Sequence, residues 1–351
     1  MPQDRPSAAT PVLSVIGTGY LGATHAACMA EFGFTVIGVD VDPDKVASLS
    51  AGVVPFFEPD LDDLLKRNID AGRLRFTTSF GEAGEAADVH FICVGTPQQP
   101  GAYAADMSQV FGSISSLAPH VSSTDVIVGK STVPVGTADE IVDQLKNTAA
   151  SGVDVVWNPE FLREGFAVQD TLKPDRLVVG VASERAEQVM RTVYAPLIAD
   201  GVPFLVTDFP TAELVKVAAN SFLATKISFI NAMAEVCEAA GADVTMLATA
   251  IGHDPRIGNR FLSAGLGFGG GCLPKDIRAF MARAGELGAE EALTFLREVD
   301  QINLRRREHT VDLARKTLGG DLRGKVVTML GATFKPDSDD VRDSPALDVA
   351  V

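Results

Sequence analysis

The sequence predicts an α/β protein in which an N-terminal doubly wound sheet is followed by a long helical region and by the start of a second α/β domain. Three observations support this fold class. Two strand-like runs near the N-terminus flank a glycine-rich turn and a helical pattern. Further apolar runs then alternate with helical patterns up to Asp208, and residues 211–240 form one long helical pattern low in Gly and Pro. With 351 residues, the chain is long enough for two or three domains.

The first elements predict a βαβ unit that binds a dinucleotide. A buried strand at residues 12–16 leads into the turn GTGYLG at residues 17–22 and a helical pattern at residues 23–32, and a second strand, residues 35–39, ends in Asp40. In this Rossmann-like fingerprint, glycines let a pyrophosphate approach the helix N-terminus. An acid at this distance bonds the ribose 2′-OH and repels a 2′-phosphate, so we expect NAD rather than NADP. The predicted contacts in the turn are Gly17, Gly19, Tyr20, Leu21 and Gly22.

The later elements extend this sheet and place polar residues at its edge. Strand-like runs cover residues 89–94, 125–129, 153–157 and 176–180, with helical patterns such as 106–117 and 137–145 between them. The segments Gly95-Thr96-Pro97, Lys130-Ser131-Thr132 and Asn158-Pro159-Glu160 follow three of these runs. Ligands bind at the carboxyl ends of strands in such sheets, so we expect these segments to line the site.

Three domains follow from these patterns. We expect a Rossmann-like NAD-binding domain at residues 1–208, a central helical domain at residues 209–318 and the beginning of a second Rossmann-like domain at residues 319–351. The last prediction rests on residues 324–331, which read as a strand running into a glycine turn. So short a piece cannot build its own sheet, and we therefore expect a truncated chain.

Composition argues against several functions. The formal net charge of −16 disfavours nucleic acid or an anionic membrane as the main partner. No run reaches the roughly 18 apolar residues of a membrane span, and residues 1–10 have no apolar signal core. We expect a cytoplasmic protein. The four cysteines show no metal-site spacing, so no metal is predicted.

The segment GLGFGGGCLPKD, residues 265–276, suggests covalent catalysis. It ends a glycine-rich loop with Cys272, and Pro274 suits the first turn of a helix. The backbone N–H groups and the dipole of a helix N-terminus favour a thiolate, and Asp276 adds a carboxylate about one turn later. The alternative for Cys272 is a buried structural cysteine, which is the role we expect for the other three.

The order of these motifs resembles the UDP-glucose/GDP-mannose dehydrogenase family from Val12 onward. The matching features are residues 17–22, Asp40, residues 130–137, residues 158–165 (NPEFLREG), Lys216 with Asn220, and residues 267–276. The resemblance implies two Rossmann-like domains joined by a long helix that forms the core of a homodimer. It also implies an enzyme that oxidises the 6-hydroxyl of a nucleotide sugar to a carboxylate with two NAD⁺.

The same resemblance assigns the catalytic roles. Cys272 would trap the aldehyde from the first hydride transfer as a thiohemiacetal, and the second transfer would give a thioester that water hydrolyses. Lys216 and Asn220, spaced to share one helix face, would stabilise the oxyanion. Asp276 would act with the lysine and a water. Three further catalytic positions are Thr132, Glu160 and Glu164.

Binding positions also follow from the resemblance. Besides the turn and Asp40, those for NAD are Lys45, Thr96, Ser131, Thr132, Glu164, Lys275 and Arg342. Those for the substrate are Glu160, Phe161, Leu162, Arg163, Glu164, Lys216, Asn220, Arg256, Phe261, Leu262, Gly265, Phe268, Gly269, Phe334 and Lys335. Arg256 would reach the sugar site of the partner subunit, and Phe334 and Lys335 would contact the diphosphate.

Several alternatives stay open. Gly271 and Leu273 on either side of Cys272 favour UDP-glucose as the substrate over GDP-mannose or a UDP-N-acetylhexosamine. A two-electron dehydrogenase of the β-hydroxyacid type would share the fold and a helical lysine with a nearby asparagine, but would not need Cys272. A non-catalytic dinucleotide-binding sensor would need none of Cys272, Lys216 and Asp276.

Overall fold

In a computed structural model, the chain is described for residues 10–148 and 150–351. It forms two compact units, one made of the residues up to Pro97 with Asp106–Lys216 and the other of Gln98–Ala105 with Val217–Val351. The N-terminal residues 1–9, for which no signal core was predicted, lie outside the described residues. No helix of the described residues is both long enough and apolar enough to cross a membrane.

The first unit is built on an eight-stranded sheet. Its strands are β1 (Leu13–Ile16), β2 (Val36–Val39), β3 (Leu74–Thr77), β4 (Val89–Ile92), β5 (Val126–Gly129), β6 (Asp154–Trp157), β7 (Leu177–Val181) and β8 (Phe204–Thr207). The strand order is β3-β2-β1-β4-β5-β6-β7-β8, and every neighbouring pair is parallel except β6 with β7. The first six strands follow the Rossmann order, which confirms the predicted fold class.

Helices cover both faces of this sheet. They are α1 (Tyr20–Glu31), α2 (Pro43–Ser50), α3 (Leu61–Asp70), α4 (Phe80–Ala86), α5 (Ser108–Leu117), α6 (Thr137–Leu145), α7 (Ala167–Leu172), α8 (Glu184–Val193) and α9 (Ala195–Ala199), with a 3₁₀ turn at Ala118–His120. Successive residues of β1 belong to different cores: Leu13 and Val15 join one apolar cluster, whereas Ile16 joins the other. This alternation is the expected result of a pleated strand buried on both faces.

The six predicted strands of this sheet are confirmed, but β3 and β8 were not predicted. Strand β3 has the sequence Leu-Arg-Phe-Thr, which lacks the continuous apolar run of a central strand, and it is only partly buried. In β8, Leu205 is 50% exposed, since this strand lies at the end of the sheet. Short, half-exposed edge strands carry a weak hydrophobic signal.

The second unit is helical. Its helices are α11 (Val244–Gly252), α12 (Leu273–Glu286), α13 (Thr294–Thr317) and α14 (Pro345–Ala350), with a 3₁₀ turn at Glu290–Leu293. The predicted long helix is confirmed as α10 (Phe209–Ala240), which begins in the first unit and continues into the second. A small core of the second unit contains Ala224, Phe268, Ile277, Leu296 and Val299.

The predicted strand at residues 324–331 is wrong. Residues 325–330 have no regular secondary structure, and no described segment pairs with them. The apolar sequence suggested a buried strand, yet Val326 and Leu330 are 93% and 91% exposed. A strand needs a neighbouring ladder, and apolar residues alone do not supply one.

Candidate active site

The turn between β1 and α1 has the geometry of a dinucleotide cradle. Gly17 has a φ of +87°, a backbone conformation that favours glycine. A Cβ at Gly22 would lie 1.8 Å from the carbonyl oxygen of Gly17, so the backbone leaves no room for a side chain there. Gly19 is the N-cap of α1, and a Cβ added there would meet nothing within 4 Å. The open space lies beside the first N–H groups of α1, where a pyrophosphate binds. These residues therefore fit NAD.

Asp40 lies directly beside this turn. Its Oδ2 accepts hydrogen bonds from Thr18 N–H (2.9 Å) and Thr18 Oγ1 (3.0 Å), and it pairs with Lys45 Nζ at 2.9 Å. Although burial opposes ionisation, Lys45 and the backbone N–H groups of Thr18 and Asp42 hold the pKa of Asp40 below its usual value. The carboxylate is charged, and its Oδ1 accepts one bond, from Asp42 N–H at 3.2 Å. An ionised acceptor at this position suits a ribose hydroxyl.

The carboxyl ends of β4 and β5 are tied together by two predicted cofactor residues. Thr96 Oγ1 donates to the carbonyl of Thr132 at 2.8 Å, and Ser131 Oγ donates to the carbonyl of Val94 at 2.7 Å. Thr96 and Ser131 are buried and Thr132 is half-buried. The structure thus gives both hydroxyls a role in holding the edge of the sheet.

Lys216 and Glu160 form an ion pair within the first unit. Lys216 Nζ lies 3.0 Å from Glu160 Oε1, and their side chains are 6% and 13% exposed. Glu160 Oε2 accepts from Leu162 N–H at 2.7 Å, and the Lys216 ammonium lies 5.7 Å from the centre of the Phe161 ring. Lys216 is therefore a buried, paired ammonium and not a solvated lysine on a helix surface.

The next residues of the NPEFLREG segment are held in different ways. Arg163 makes a two-pronged ion pair with Asp170, with distances of 2.9 and 2.7 Å, and its side chain is 54% exposed. Glu164 and Leu162 are half-buried. The backbone N–H of Arg163 also donates to Asp170 Oδ2 at 2.9 Å, so Asp170 binds both the side chain and the backbone N–H of this residue.

Cys272 differs from the other three cysteines. It is the N-cap of α12 and is exposed, whereas Cys28, Cys93 and Cys237 are buried. Burial raises the pKa of Cys93 to about 12 and also raises that of Cys28, so these thiols stay neutral. The predicted helix start is confirmed, and it leaves Cys272 as the accessible thiol at a helix N-terminus.

Asn220 and Asp276 form a buried pair within the second unit. Asn220 Nδ2 donates to Asp276 Oδ2 at 2.6 Å, and the two residues are 8% and 2% exposed. Lys275 Nζ lies 2.5 Å from the other oxygen, Oδ1. Asp276 lies one turn into α12, and its backbone N–H donates to the carbonyl of Cys272 at 3.0 Å. Two side-chain donors, Asn220 and Lys275, therefore orient the Asp276 carboxylate. This carboxylate lies one helical turn after Cys272 along the chain.

The glycine-rich loop before Cys272 packs closely against its own unit. A Cβ at Gly269 would lie 2.2 Å from the carbonyl oxygen of Asp343, and one at Gly271 would lie 2.5 Å from Arg342 Cζ. Gly270 N–H donates to the carbonyl of Arg342 at 2.9 Å. Asp343 and Arg342 therefore occupy the space beside Gly269 and Gly271.

The remaining predicted residues of the second unit are placed as follows. Phe268 packs its side chain in the core and Leu262 is buried, so both side chains face the protein in this structure. Phe261 has a φ of +63°, a strained conformation for a non-glycine residue, and such residues cluster at functional sites. Arg256 is 87% exposed and pairs with Asp254. Lys335 and Arg342 contact Phe334 and Asp340, respectively, and Gly265 donates its N–H to Asn231.

Lys130 follows β5 in one of the polar segments predicted to line the site, and the structure shows that it is buried. Lys130 Nζ donates to Asn158 Oδ1 at 2.9 Å and lies 3.4 Å from the hydroxyl of Tyr194. Burial lowers the pKa of Lys130 to about 8. No described group of three or more His, Cys, Asp or Glu side chains could hold a metal ion. The position of Lys130 at a strand end was predictable from the sequence. Its burial was not, because it depends on the packing of Asn158 and Tyr194 around it.

A cofactor cradle in one unit and an accessible thiol in the other place the chain in the class of NAD-dependent dehydrogenases. Comparison with known proteins defines the family. The model for the NAD binding domain of the UDP-glucose/GDP-mannose dehydrogenase family matches residues 12–198, and the model for that family's central domain matches residues 210–305. The chain belongs to this family.

Individual relatives agree with this assignment. A UDP-glucose 6-dehydrogenase of Rhizobium meliloti (strain 1021) is 44% identical over 340 residues, which are 96% of this chain and 77% of the relative. The structure of a UDP-glucose dehydrogenase from Pyrobaculum islandicum is 40% identical with a TM-score of 0.93, covering 99% of this chain and 80% of that one. A UDP-D-ManNAc dehydrogenase from Pyrococcus horikoshii is 27% identical with a TM-score of 0.87, covering 96% and 79%.

Proposed function

We propose that this chain is a UDP-glucose 6-dehydrogenase, which oxidises UDP-glucose to UDP-glucuronate with two NAD⁺. The observation that carries the proposal is the exposed Cys272 at the start of α12, since a two-electron dehydrogenase has no use for a nucleophilic thiol. The relative named UDP-glucose 6-dehydrogenase is 44% identical and the UDP-D-ManNAc dehydrogenase is 27% identical, which supports UDP-glucose as the sugar nucleotide.

The first oxidation converts the C6 alcohol into an aldehyde. NAD⁺, when bound in the cradle, would supply the hydride acceptor; the chain must hold the hydroxyl and stabilise charge on its oxygen. We assign this stabilisation to Lys216, whose ammonium is buried and fixed by Glu160 at 3.0 Å. A preorganised charge in a poorly solvated place stabilises a developing oxyanion more than one in water. Thr132 is assigned to position a water, and Glu164 to the nicotinamide and sugar.

Cys272 carries the second half of the reaction. Its thiolate forms a C–S bond to the aldehyde carbon while the carbonyl pair moves to oxygen, which takes up a proton to give a thiohemiacetal. The second oxidation turns this into a thioester, and water then cleaves the C–S bond to release the carboxylate and the thiol. One alcohol and one water thus become one carboxylate, two hydrides and three protons. We assign Asn220 and Asp276 to the oxyanion and to the attacking water.

The other binding assignments remain part of this proposal. Phe161, Leu162 and Arg163 contact the sugar side through backbone and side chain, and Phe261, Leu262, Gly265, Phe268 and Gly269 form the loop around the substrate. Residues 319–351 begin the UDP-sugar-binding domain, with Phe334 and Lys335 at the diphosphate and Arg342 at NAD. Lys45, Thr96, Ser131 and Lys275 complete the cofactor contacts.

Counting reduced cofactor tests the function. We expect two NADH per UDP-glucose, no released aldehyde, and slower reaction with GDP-mannose and UDP-N-acetylmannosamine. One NADH with free aldehyde would instead identify a two-electron dehydrogenase. Two NADH from another sugar nucleotide, with none from UDP-glucose, would keep the chemistry and overturn the substrate.

We also propose a homodimer built on α10. Phe222, Phe229 and Val236 are 67%, 47% and 58% exposed and repeat every seven residues. Seven residues are about two helical turns, so these side chains share one side of the helix and are suited to pair with a copy of themselves about a two-fold axis. Arg256 then acts at the site of the partner. We further propose a cytoplasmic location, which suits four cysteines that are all in the reduced form.

Light scattering tests the dimer. Phe229→Asp should convert it to a monomer, because a carboxylate would be buried in an apolar interface. Leu313→Asp on α13, where Leu313 is also exposed (56%), is the matched control and should stay dimeric. A monomeric unmodified protein would contradict the proposal.

A further inference from the structure

Glu58 is a buried carboxylate that lies outside the sequence motifs described above. It lies between α2 and α3 and is 6% exposed. Its Oε1 accepts from the backbone N–H of Ala167 at 2.7 Å and of Val168 at 3.4 Å, and its Oε2 accepts from Gly165 N–H at 2.7 Å. A buried carboxylate is tolerated only when its acceptors are satisfied, and here the donors come from a distant segment of the chain.

That segment is the end of NPEFLREG. Gly165 is its last residue, and Ala167 starts α7. Glu160 and Glu164 of the same segment are assigned to the sugar and nicotinamide. Glu58 therefore fixes the backbone directly after two proposed substrate residues.

The fourth donor to Glu58 comes from the cofactor turn. The hydroxyl of Tyr20 donates to Glu58 Oε2 and also accepts a hydrogen bond from Gly165 N–H at 2.9 Å. Burial, followed by the neighbouring Glu58 carboxylate, raises the pKa of Tyr20, so the phenol keeps the proton that it donates. Tyr20 is the first residue of α1 and follows Gly19, the glycine that faces open space.

We propose that Glu58 is a positioning residue that links the dinucleotide-binding turn to the substrate segment. It contacts neither ligand by itself. Through Tyr20 it fixes the start of α1, and through Gly165 it fixes the segment that carries Glu160 and Glu164. The substrate side of this link rests on the proposed function, whereas the cofactor side rests on the dinucleotide cradle alone.

The test compares Glu58→Gln and Tyr20→Phe, alone and combined, in the full chain. The direct readout is NAD⁺ affinity by calorimetry, which needs no turnover. We expect each single variant to raise the Kd for NAD⁺ about tenfold, the equivalent of one charge-assisted hydrogen bond. The double variant should be no weaker than Glu58→Gln, because both changes break one link. The KM for UDP-glucose should rise in Glu58→Gln as well.

Glu31→Gln is the matched control. Glu31 lies at the opposite end of α1 and accepts three hydrogen bonds from Arg67 and Asn68 of α3. This variant should lower the Tm and leave the Kd for NAD⁺ unchanged. The same pattern in Glu58→Gln, or single effects that multiply in the double variant, would overturn the link.

The link through Glu58 and the proposed function can be tested separately. If Glu58→Gln does not fold, Tyr20→Phe keeps the backbone contacts of Glu58 and carries the test alone. A tenfold loss of NAD⁺ affinity then supports the link, and an unchanged Kd overturns it. If the unmodified protein makes no NADH from UDP-glucose but the Kd changes are as stated, the function fails and the cofactor side of the link stands.

Discussion

Two glycine-rich loops in this chain lead into helix N-termini, and they use their glycines differently. In the turn before α1, Gly19 has no neighbour for an added Cβ, so the space beside it is open to a ligand. In the loop before α12, added Cβ atoms at Gly267, Gly269, Gly270 and Gly271 would collide with residues of the same unit. A glycine-rich sequence therefore does not by itself indicate a ligand site, and the cysteine after the second loop is the feature that points to chemistry there.

The largest expected effect separates the two loops by function. Cys272→Ser should lower net turnover by at least about 10³-fold, because a serine alkoxide is scarce at neutral pH and an ester intermediate hydrolyses poorly. NAD⁺ affinity should stay the same, since the cofactor cradle lies in the other unit. Steady-state NADH production and a separate NAD⁺ titration measure the two quantities. Normal turnover by the serine variant would end the nucleophile assignment.

The next prediction concerns why the second loop contains glycine. Gly267 has a φ of +99°, and its Cβ would lie 2.2 Å from Oδ1 of the fully buried Asn303. Asn303 holds the loop by accepting from Phe268 N–H at 2.7 Å and donating to its carbonyl at 2.9 Å. Gly267→Ala should therefore destabilise the protein by about 2–4 kcal/mol through backbone strain and lost hydrogen bonds.

Urea unfolding measures this loss, and Gly19→Ala provides the comparison. That variant should keep the unfolding free energy within about 1 kcal/mol, because its Cβ meets no protein atom, but should weaken NAD⁺ binding. If Gly19→Ala destabilises the protein as much as Gly267→Ala does, the two loops do not differ in the way the structure indicates.

In the first unit, the buried ammonium of Lys130 makes the stability of the protein depend on pH. The pKa of Lys130 is about 8 in the folded protein, below the 10.5 of an exposed lysine, so between these values the unfolded chain holds more protons. This residue's contribution to stability therefore rises with pH from 8 to 10.5, by about 1.4 kcal/mol per pH unit at most. The difference in unfolding free energy between the unmodified protein and Lys130→Met should change by this amount. A difference that stays constant over this range would contradict the assigned protonation.

The sequence predicted more of the fold than of the site. The GxGxxG turn, Asp40 and the long α10 were predictable, because each depends on local pattern and on a fixed spacing. The contacts of Glu58 with Gly165, and the close packing of the loop glycines against Arg342 and Asp343, join segments far apart in sequence. No local pattern encodes such contacts. The wrong strand at residues 324–331 has the same cause, because pairing depends on a partner segment.

The smallest expected effect concerns Asp40, which lies beside the turn before α1. Asp40→Ala should weaken NAD⁺ binding by about 1–2 kcal/mol, since it removes an ionised acceptor for the ribose hydroxyl, and should relax discrimination against NADP⁺. Asp40 also holds Thr18 and Lys45, so Lys45→Ala serves as the control: it removes the ion pair and keeps the acceptor. Calorimetry with NAD⁺ and NADP⁺ should show the loss of discrimination in Asp40→Ala only. If the unmodified protein already binds NADP⁺ as well as NAD⁺, the carboxylate has no part in reading the ribose, and the turn beside Gly19 binds either cofactor through the pyrophosphate that both share.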